Sequence, residues 1–176
     1  MNQLLLDIPL KNFHEASGAK MISFAGFNMP INYKAGIINE HKNVRNHSGI
    51  FDVSHMGQIF ISGSYAEKFL QMVTTNDVSK LKKGQAQYSV ICNAEGGIID
   101  DIIVYKRETD YMLVVNASDI DKKFEWLKSF KPKEIKIENR SKEYSMIALQ
   151  GPKSRKIIQN IIKDDKINNI KVRFQK

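Results

Sequence analysis

The sequence predicts an α+β fold, and three observations carry that expectation. Apolar, strand-forming runs at 58–62, 86–92, 98–107 and 112–116 are bounded by turn residues. Helical patterns at 11–17, 37–46, 66–72 and after Asp119 separate or flank them. From 58 to 138 the order is strand, helix, a three-strand meander, helix, strand. That order is a split βαβ, ferredoxin-like unit with one added hairpin strand.

Element by element, residues 11–17 form a helix ended by Gly18, and Met21 to Phe24 a short strand. Ile37 to Asn46 carries a mixed polar helical pattern that Gly49 terminates. Gln58 to Ser62 is a strand. Ser64-Tyr65-Ala66-Glu67 then has the form of a capping box opening a helix over Ala66 to Met72. Ala86 to Cys92 and Ile98 to Arg107 pair through the Gly-ended loop Asn93-Ala94-Glu95-Gly96-Gly97. Met112 to Asn116 is the next strand, and Ser118 or Asp119 caps a helix with Ile120, Phe124 and Leu127 on one stripe. Glu134 to Glu138 and Tyr144 to Leu149 read as strands. Gly151-Pro152 opens a last helix, to about Lys163, with Pro152 in its first turn. Ile170 to Phe174 looks like a strand just beginning, so the chain is expected to be the front of something longer. The flanks, 1–57 and 139–176, are expected to be parts of one discontinuous, truncated domain around the 58–138 unit.

Composition narrows the function classes. The chain has 176 residues, 42% hydrophobic and 26% charged, ordinary values for one good core. No apolar run approaches the roughly 20 residues that span a bilayer. Leu4-Leu5-Leu6 lacks a basic leader and is interrupted by Asp7, which argues against a secretory signal. Cys92 is the single cysteine, so an internal disulfide and a cysteine metal cage are excluded, and the cytoplasm is the expected compartment. The net charge of +8 is lopsided: residues 1–120 hold 11 basic against 12 acidic groups, and residues 121–176 hold 16 against 7. Such a segment attracts an acidic partner or is simply a solvated face. RNA reading would need aromatics on exposed strands; no such run is present, and no nucleic-acid partner is expected.

The run Gly96-Gly97-Ile98-Ile99-Asp100-Asp101-Ile102-Ile103-Val104-Tyr105 is the most informative stretch. Alternation puts Ile98, Asp100, Ile102 and Val104 on one face and Ile99, Asp101, Ile103 and Tyr105 on the other. Both faces are apolar beyond the aspartates, which predicts a central strand covered on both sides. A carboxylate carried into such an interior needs hydrogen bonds or a cation. One aspartate is explained by capping the turn after Gly97. Two on opposite faces are not, and at least one is expected to be functional.

At this point whole motifs match a known family. Phe24-Ala25-Gly26-Phe27-Asn28-Met29-Pro30 and Gly49-Ile50-Phe51-Asp52-Val53-Ser54-His55-Met56-Gly57 resemble the glycine cleavage system T-protein, the aminomethyltransferase. So do Thr75-Asn76-Asp77-Val78, Tyr88-Ser89-Val90, Cys92-Asn93, the Gly96-to-Tyr105 run, Asn116-Ala117 and Ala148-Leu149-Gln150-Gly151-Pro152, in the family's order and spacing. The resemblance implies an incomplete folate-binding aminomethyltransferase domain that transfers a one-carbon unit from the lipoyl arm of the H-protein to tetrahydrofolate, releasing ammonia. It implies Asp101 as the catalytic residue and Met56, Tyr88, Tyr105 and Asn116 around the folate, with no metal. It implies the lipoylated H-protein as partner, with the basic 121–176 segment as its docking candidate. His55 is either a general base or a hydrogen-bonded residue of the pocket wall. Asp119 departs from the family's usual Asn, a mild change at a helix cap. Family members continue well past Lys176, so these residues alone are expected to be catalytically silent. The alternative is a non-catalytic interaction module related to the family's iron–sulfur assembly factor.

Overall fold

In the computed structural model, which describes residues 4–162, the chain opens with β1 (Leu6–Asp7), α1 (Lys11–Ala16), β2 (Lys20–Phe24), β3 (Phe27–Asn32), α2 (Ile37–Asn46) and β4 (Gly49–Asp52). The middle comprises β5 (Gly57–Ser62), α3 (Ala66–Val73), a 3-10 turn at Val78–Lys80, β6 (Ala86–Cys92), β7 (Ile98–Lys106), β8 (Asp110–Val115), α4 (Ile120–Ser129) and β9 (Lys136–Asn139). It closes with β10 (Ile147–Gln150) and α5 (Ser154–Ile161). The mixed α/β class expected from the patterns is present. The strand expected at Ile170 to Phe174 lies outside the described residues.

The middle elements build a five-stranded sheet in the order β6-β7-β8-β5-β9, with every neighbouring pair antiparallel. Helices α3 and α4 bury one face of it. Ala66, Phe69, Leu70 and Val73 give α3 an i, i+3, i+4, i+7 stripe, all buried. They meet Ile59, Ile61, Ile102, Val104, Leu113 and Val115 in one core. Gly57 is required where α4 begins. A Cβ there would lie 2.6 Å from Val115 Cγ2 and 2.9 Å from Ile120 Cγ2, closer than real side chains approach. Leu113 is fully buried in the central layer. Leu113→Ala is expected to cost about 2–5 kcal/mol, read as a lower urea midpoint at unchanged slope.

Edge strand β6 is guarded at its outer rim. Val90 O accepts from Thr75 N–H at 3.0 Å, and Tyr88 O accepts from the Asn76 amide at 2.9 Å. Those bonds blunt the edge against pairing with another chain.

The flanks join through pairings that no local pattern reveals. β4 pairs antiparallel with β10, Gly49 opposite Gln150 and Asp52 opposite Ile147. β3 returns on β2 through Ala25 and Gly26, both with positive φ (49° and 83°), the geometry of a tight two-residue hairpin. β1 adds parallel to β3. None of β1, β3 and β4 was expected.

Several local expectations are corrected. Strand β7 is not covered on both sides among the described residues: Asp100, Ile102 and Val104 are buried, while Ile98, Asp101 and Ile103 are exposed. The capping box does not form. Tyr65 occupies the N-cap with no side-chain bond, because Glu67 turns to Lys106 Nζ and the Tyr111 hydroxyl, each at 2.8 Å. Asp119 does sit at the N-cap of α4, but in the left-handed conformation and without a capping bond; its carboxylate meets Lys122 at 3.0 Å. Gly49 belongs to β4, and α2 ends instead at His47. Pro152 precedes α5 and lies outside its first turn. Tyr144 stays out of β10 because its ring packs on Phe60, 5.7 Å between centroids.

Candidate active site

The antiparallel register between β7 and β8 puts Ile102 opposite Val115, and one step further places Asn116 beside Asp101. Asn116 Nδ2 donates to Asp101 Oδ1 at 2.8 Å and to Asp100 Oδ1 at 2.8 Å. It also reaches the Asp101 carbonyl at 3.2 Å. Only acceptors surround that nitrogen, which fixes the amide's orientation. The Asn116 amide oxygen accepts no hydrogen bond from the described residues. An N–H donor of a ligand would suit it.

The two aspartates have opposite surroundings. Asp101 is exposed, which corrects the expectation of a carboxylate shut between isoleucines. Asp100 is 8% exposed and faces α4. It does not cap the turn after Gly97; the Asn93 side chain does so, accepting from Gly97 N–H at 2.6 Å. Asp100 instead pairs with Lys123 Nζ at 2.8 Å and accepts from Asn116 N–H at 3.0 Å.

Beside this pair lies a cavity of about 260 Å³ lined by Phe24, His55, Met56, Asn116, Ala117 and Ser118. The β2–β3 hairpin supplies Phe24, and its ring edge meets His55 with 5.7 Å between centroids. Phe27 contacts the same imidazole at 6.3 Å. His55 lies in the pocket wall, yet its buried Nδ1 has no hydrogen-bond partner among the described residues. Burial pushes its pKa below the usual value, against the pull of Asp52. The neutral ring is therefore favoured, a flat apolar wall with a proton-accepting edge.

Of the residues expected around a ligand, the structure brings four together. Met56 and Asn116 line the cavity, Asn116 bonds Asp101, and Tyr88 is electrostatically tied to Asp101. Tyr88 is exposed; a slight loss of hydration, then the nearby Asp101 and Asp100 charges, raise its pKa and keep the phenol protonated. Tyr105 is placed apart. It shares the Asp101 face of β7 but sits four residues along, roughly 13 Å at strand rise, in a separate cavity with Lys106 and Arg107. Phe24 and Lys123 were missed, the first for want of the β3 hairpin. Among the described residues no group of three or more His, Cys, Asp or Glu is placed to hold a metal, and no helix is long and apolar enough to cross a membrane.

Fold and site define a mixed α/β domain with a small, mostly apolar cavity and an amide-anchored carboxylate beside it. The chain belongs to the GCVT N-terminal domain family, whose model matches residues 10–176. It is 48% identical over 167 residues to an aminomethyltransferase of Flavobacterium psychrophilum, covering 94% of this chain and 46% of that protein. An aminomethyltransferase of Chloroherpeton thalassium is 50% identical over 155 residues, covering 87% of this chain and 42% of that one. The crystal structure of glycine cleavage system aminomethyltransferase T from Bartonella henselae matches with a TM-score of 0.83 and 37% identity, over 89% of this chain and 43% of that one. The chain thus spans less than half the length of these relatives.

Proposed function

We propose that the chain is the front part of an aminomethyltransferase of glycine catabolism. It would move the one-carbon unit of an aminomethylated lipoyl arm, carried by H-protein, to tetrahydrofolate with release of ammonia. One observation carries the reading: the Asp101–Asn116 pair beside an apolar cavity, in a chain of this family. The donor set fits a folate. Phe24 and Met56 offer flat and adaptable apolar contact, the Asn116 amide oxygen an acceptor for a ring N–H, and Tyr88 a phenol at the rim. Asp101 orients the protonated amine, stabilises positive charge at the carbon as neutral ammonia leaves, and takes up the proton released by the folate N–H that attacks that carbon.

The strand order β9-β5-β8-β7 with β6 at the edge supports reading 58–138 as the ferredoxin-like unit. The β4–β10 pairing supports 1–57 and 139–176 as one discontinuous domain. The single Cys92 supports a reducing, cytoplasmic setting. Calorimetry with tetrahydrofolate and an ammonia-release assay with aminomethylated H-protein test the function on a protein of family length. Folate binding and turnover are expected there, with weak binding and no turnover from the 176 residues alone. Absence of both from the longer protein would overturn the reading in favour of a non-catalytic interaction module.

The basic segment bears on the partner. Lys128, Lys136 and Arg140 are locally paired with Glu125, Glu138 and Glu143, yet residues 121–176 keep nine more basic than acidic groups. An acidic H-protein surface would be steered to this segment. Association of the family-length protein with H-protein is expected to slow several-fold between low salt and about 0.15 M, where screening sets in within about 8 Å. A salt-independent on-rate would return these lysines to a solvated face.

A further inference from the structure

We propose that Lys123 and Asp100 are positioning residues, a buried ion pair that fixes Asn116 and, through it, the carboxylate of Asp101. The catalytic consequence rests on the function proposed above; the anchoring is a property of the chain itself.

Lys123 lies in the first turns of α4 and is only 5% exposed. An ammonium has three N–H donors and no acceptor. Each donor here has its acceptor: Asp100 Oδ2 at 2.8 Å, Asn116 O at 2.8 Å and Ser118 O at 2.6 Å. Two of those three belong to the segment that carries Asn116. Asp100 holds the same residue from the other side, accepting Asn116 N–H on Oδ2 and the amide on Oδ1. Asn116 is thus gripped by its carbonyl, its N–H and its side chain. Its other contacts are with Asp101, to Oδ1 at 2.8 Å and to the carbonyl oxygen at 3.2 Å. The chain Lys123, Asp100, Asn116, Asp101 runs from the helix-covered face of the sheet to the open one.

Stability alone does not account for the pair. A well-packed apolar pair of similar volume is often as stabilising as a buried ion pair. What the ions add is direction. The grip also spans a strained point: Asp119 holds φ +54° between Ser118 and the start of α4, a conformation that needs support from its surroundings. Lys123 supplies it, through its side chain to Ser118 O and through its own N–H to Asp119 O at 3.2 Å.

The test reads the Asn116 side-chain amide by 15N-resolved NMR in the 176-residue chain, assigned with Asn116→Asp. Lys123→Met and Asp100→Asn each leave one buried ion without its partner and are expected to lower the melting temperature. The double variant Lys123→Met/Asp100→Asn removes both charges and is expected to recover most of it. In all three the Asn116 amide is expected to lose its distinct shifts and exchange with water about tenfold faster, the factor for one lost hydrogen bond. Lys123→Gln, which keeps a donor for Ser118 but no charge, provides the same readout if the double variant fails to fold. An Asn116 amide with wild-type shifts and exchange in a folded neutral variant would overturn the proposal. Released Asn116 in a chain whose family-length form has no transferase activity would refute the proposed function and leave this inference standing.

Discussion

In a protein extended to the length of its relatives, Asp101→Asn is expected to lower turnover by at least about 10²-fold, within the range lost with a general acid–base group. The fold should be untouched. Asp101 is exposed, and an asparagine oxygen still accepts the Asn116 amide, so the geometry survives and only the charge goes; stability should change by less than about 0.5 kcal/mol. Asp100→Asn behaves differently. It leaves the Lys123 ammonium buried beside a neutral amide, and breaking such a pair costs about 3–5 kcal/mol. Its loss of activity should therefore travel with a lower melting temperature and a loosened Asn116. Single-turnover ammonia release and thermal unfolding on both variants separate the two roles. Full turnover by Asp101→Asn, with a dead but stable Asp100→Asn, would transfer the chemistry to Asp100.

Much of this was legible from residue order. The strands and helices between 57 and 139 followed from alternation and from the 3.6 period, because most of those elements are long enough to carry a period of their own. β4 and β1 were not legible. Their partners lie about a hundred and about twenty residues away in the chain, and so short a run carries no period of its own. The two faces of β7 were misread for a related reason. Isoleucines on both faces say that a strand can be covered twice, while only α3 and α4 are present among the described residues to do it.

The site was half legible. Asp101, Met56, Tyr88 and Asn116 came from family motifs, and the structure puts them near one another; Tyr105 it places elsewhere. Asp100 was assigned to the wrong bond. The signal that would have corrected it was available: Lys123 lies beside the stripe of Ile120, Phe124 and Leu127. A lysine against a core stripe needs a buried anion, and Asp100 on the inward face of β7 was the carboxylate on offer.

The second large effect belongs to the flanks. Asp52→Ala is expected to cost roughly 3 kcal/mol or more, from two charge-assisted hydrogen bonds worth about 1.5–3 kcal/mol each. The Asp52 side chain is 1% exposed. Its Oδ1 accepts Ser54 N–H at 2.9 Å, and its Oδ2 meets His14 Nε2 at 3.0 Å. An ionised carboxylate can only accept, so Nε2 carries the proton. In the neutral ring Nδ1 then accepts the Tyr33 hydroxyl, 2.7 Å away. One imidazole thereby ties α1 and the end of β3 to β4. Burial acts to raise the Asp52 pKa, but the bonds from Ser54 and His14 outweigh it and hold the carboxyl below its usual 3.8. A depressed carboxylate pKa means that the unfolded chain takes up the proton first as pH falls. The Asp52 contribution is therefore complete above about pH 4–5 and is lost as pH drops through the folded value. His55 adds a second slope at higher pH. Its folded pKa lies below 6.5, so the unfolded state binds protons preferentially once pH falls under about 6.5, and stability declines from there. The melting temperature should thus be level from pH 8 to about 6.5, then fall in two steps. His55→Phe should flatten the upper step, and Asp52→Ala should shrink the lower one, to which Glu67 and Asp77, also held below their usual values by hydrogen bonds from Lys106 and Ser79, contribute as well. Hydrogen exchange should show the Asp52 variant opening at β2, β3 and β4 while the five-stranded sheet stays protected. Unchanged protection in those three strands would mean that the β4–β10 pairing holds the flanks without the His14 link.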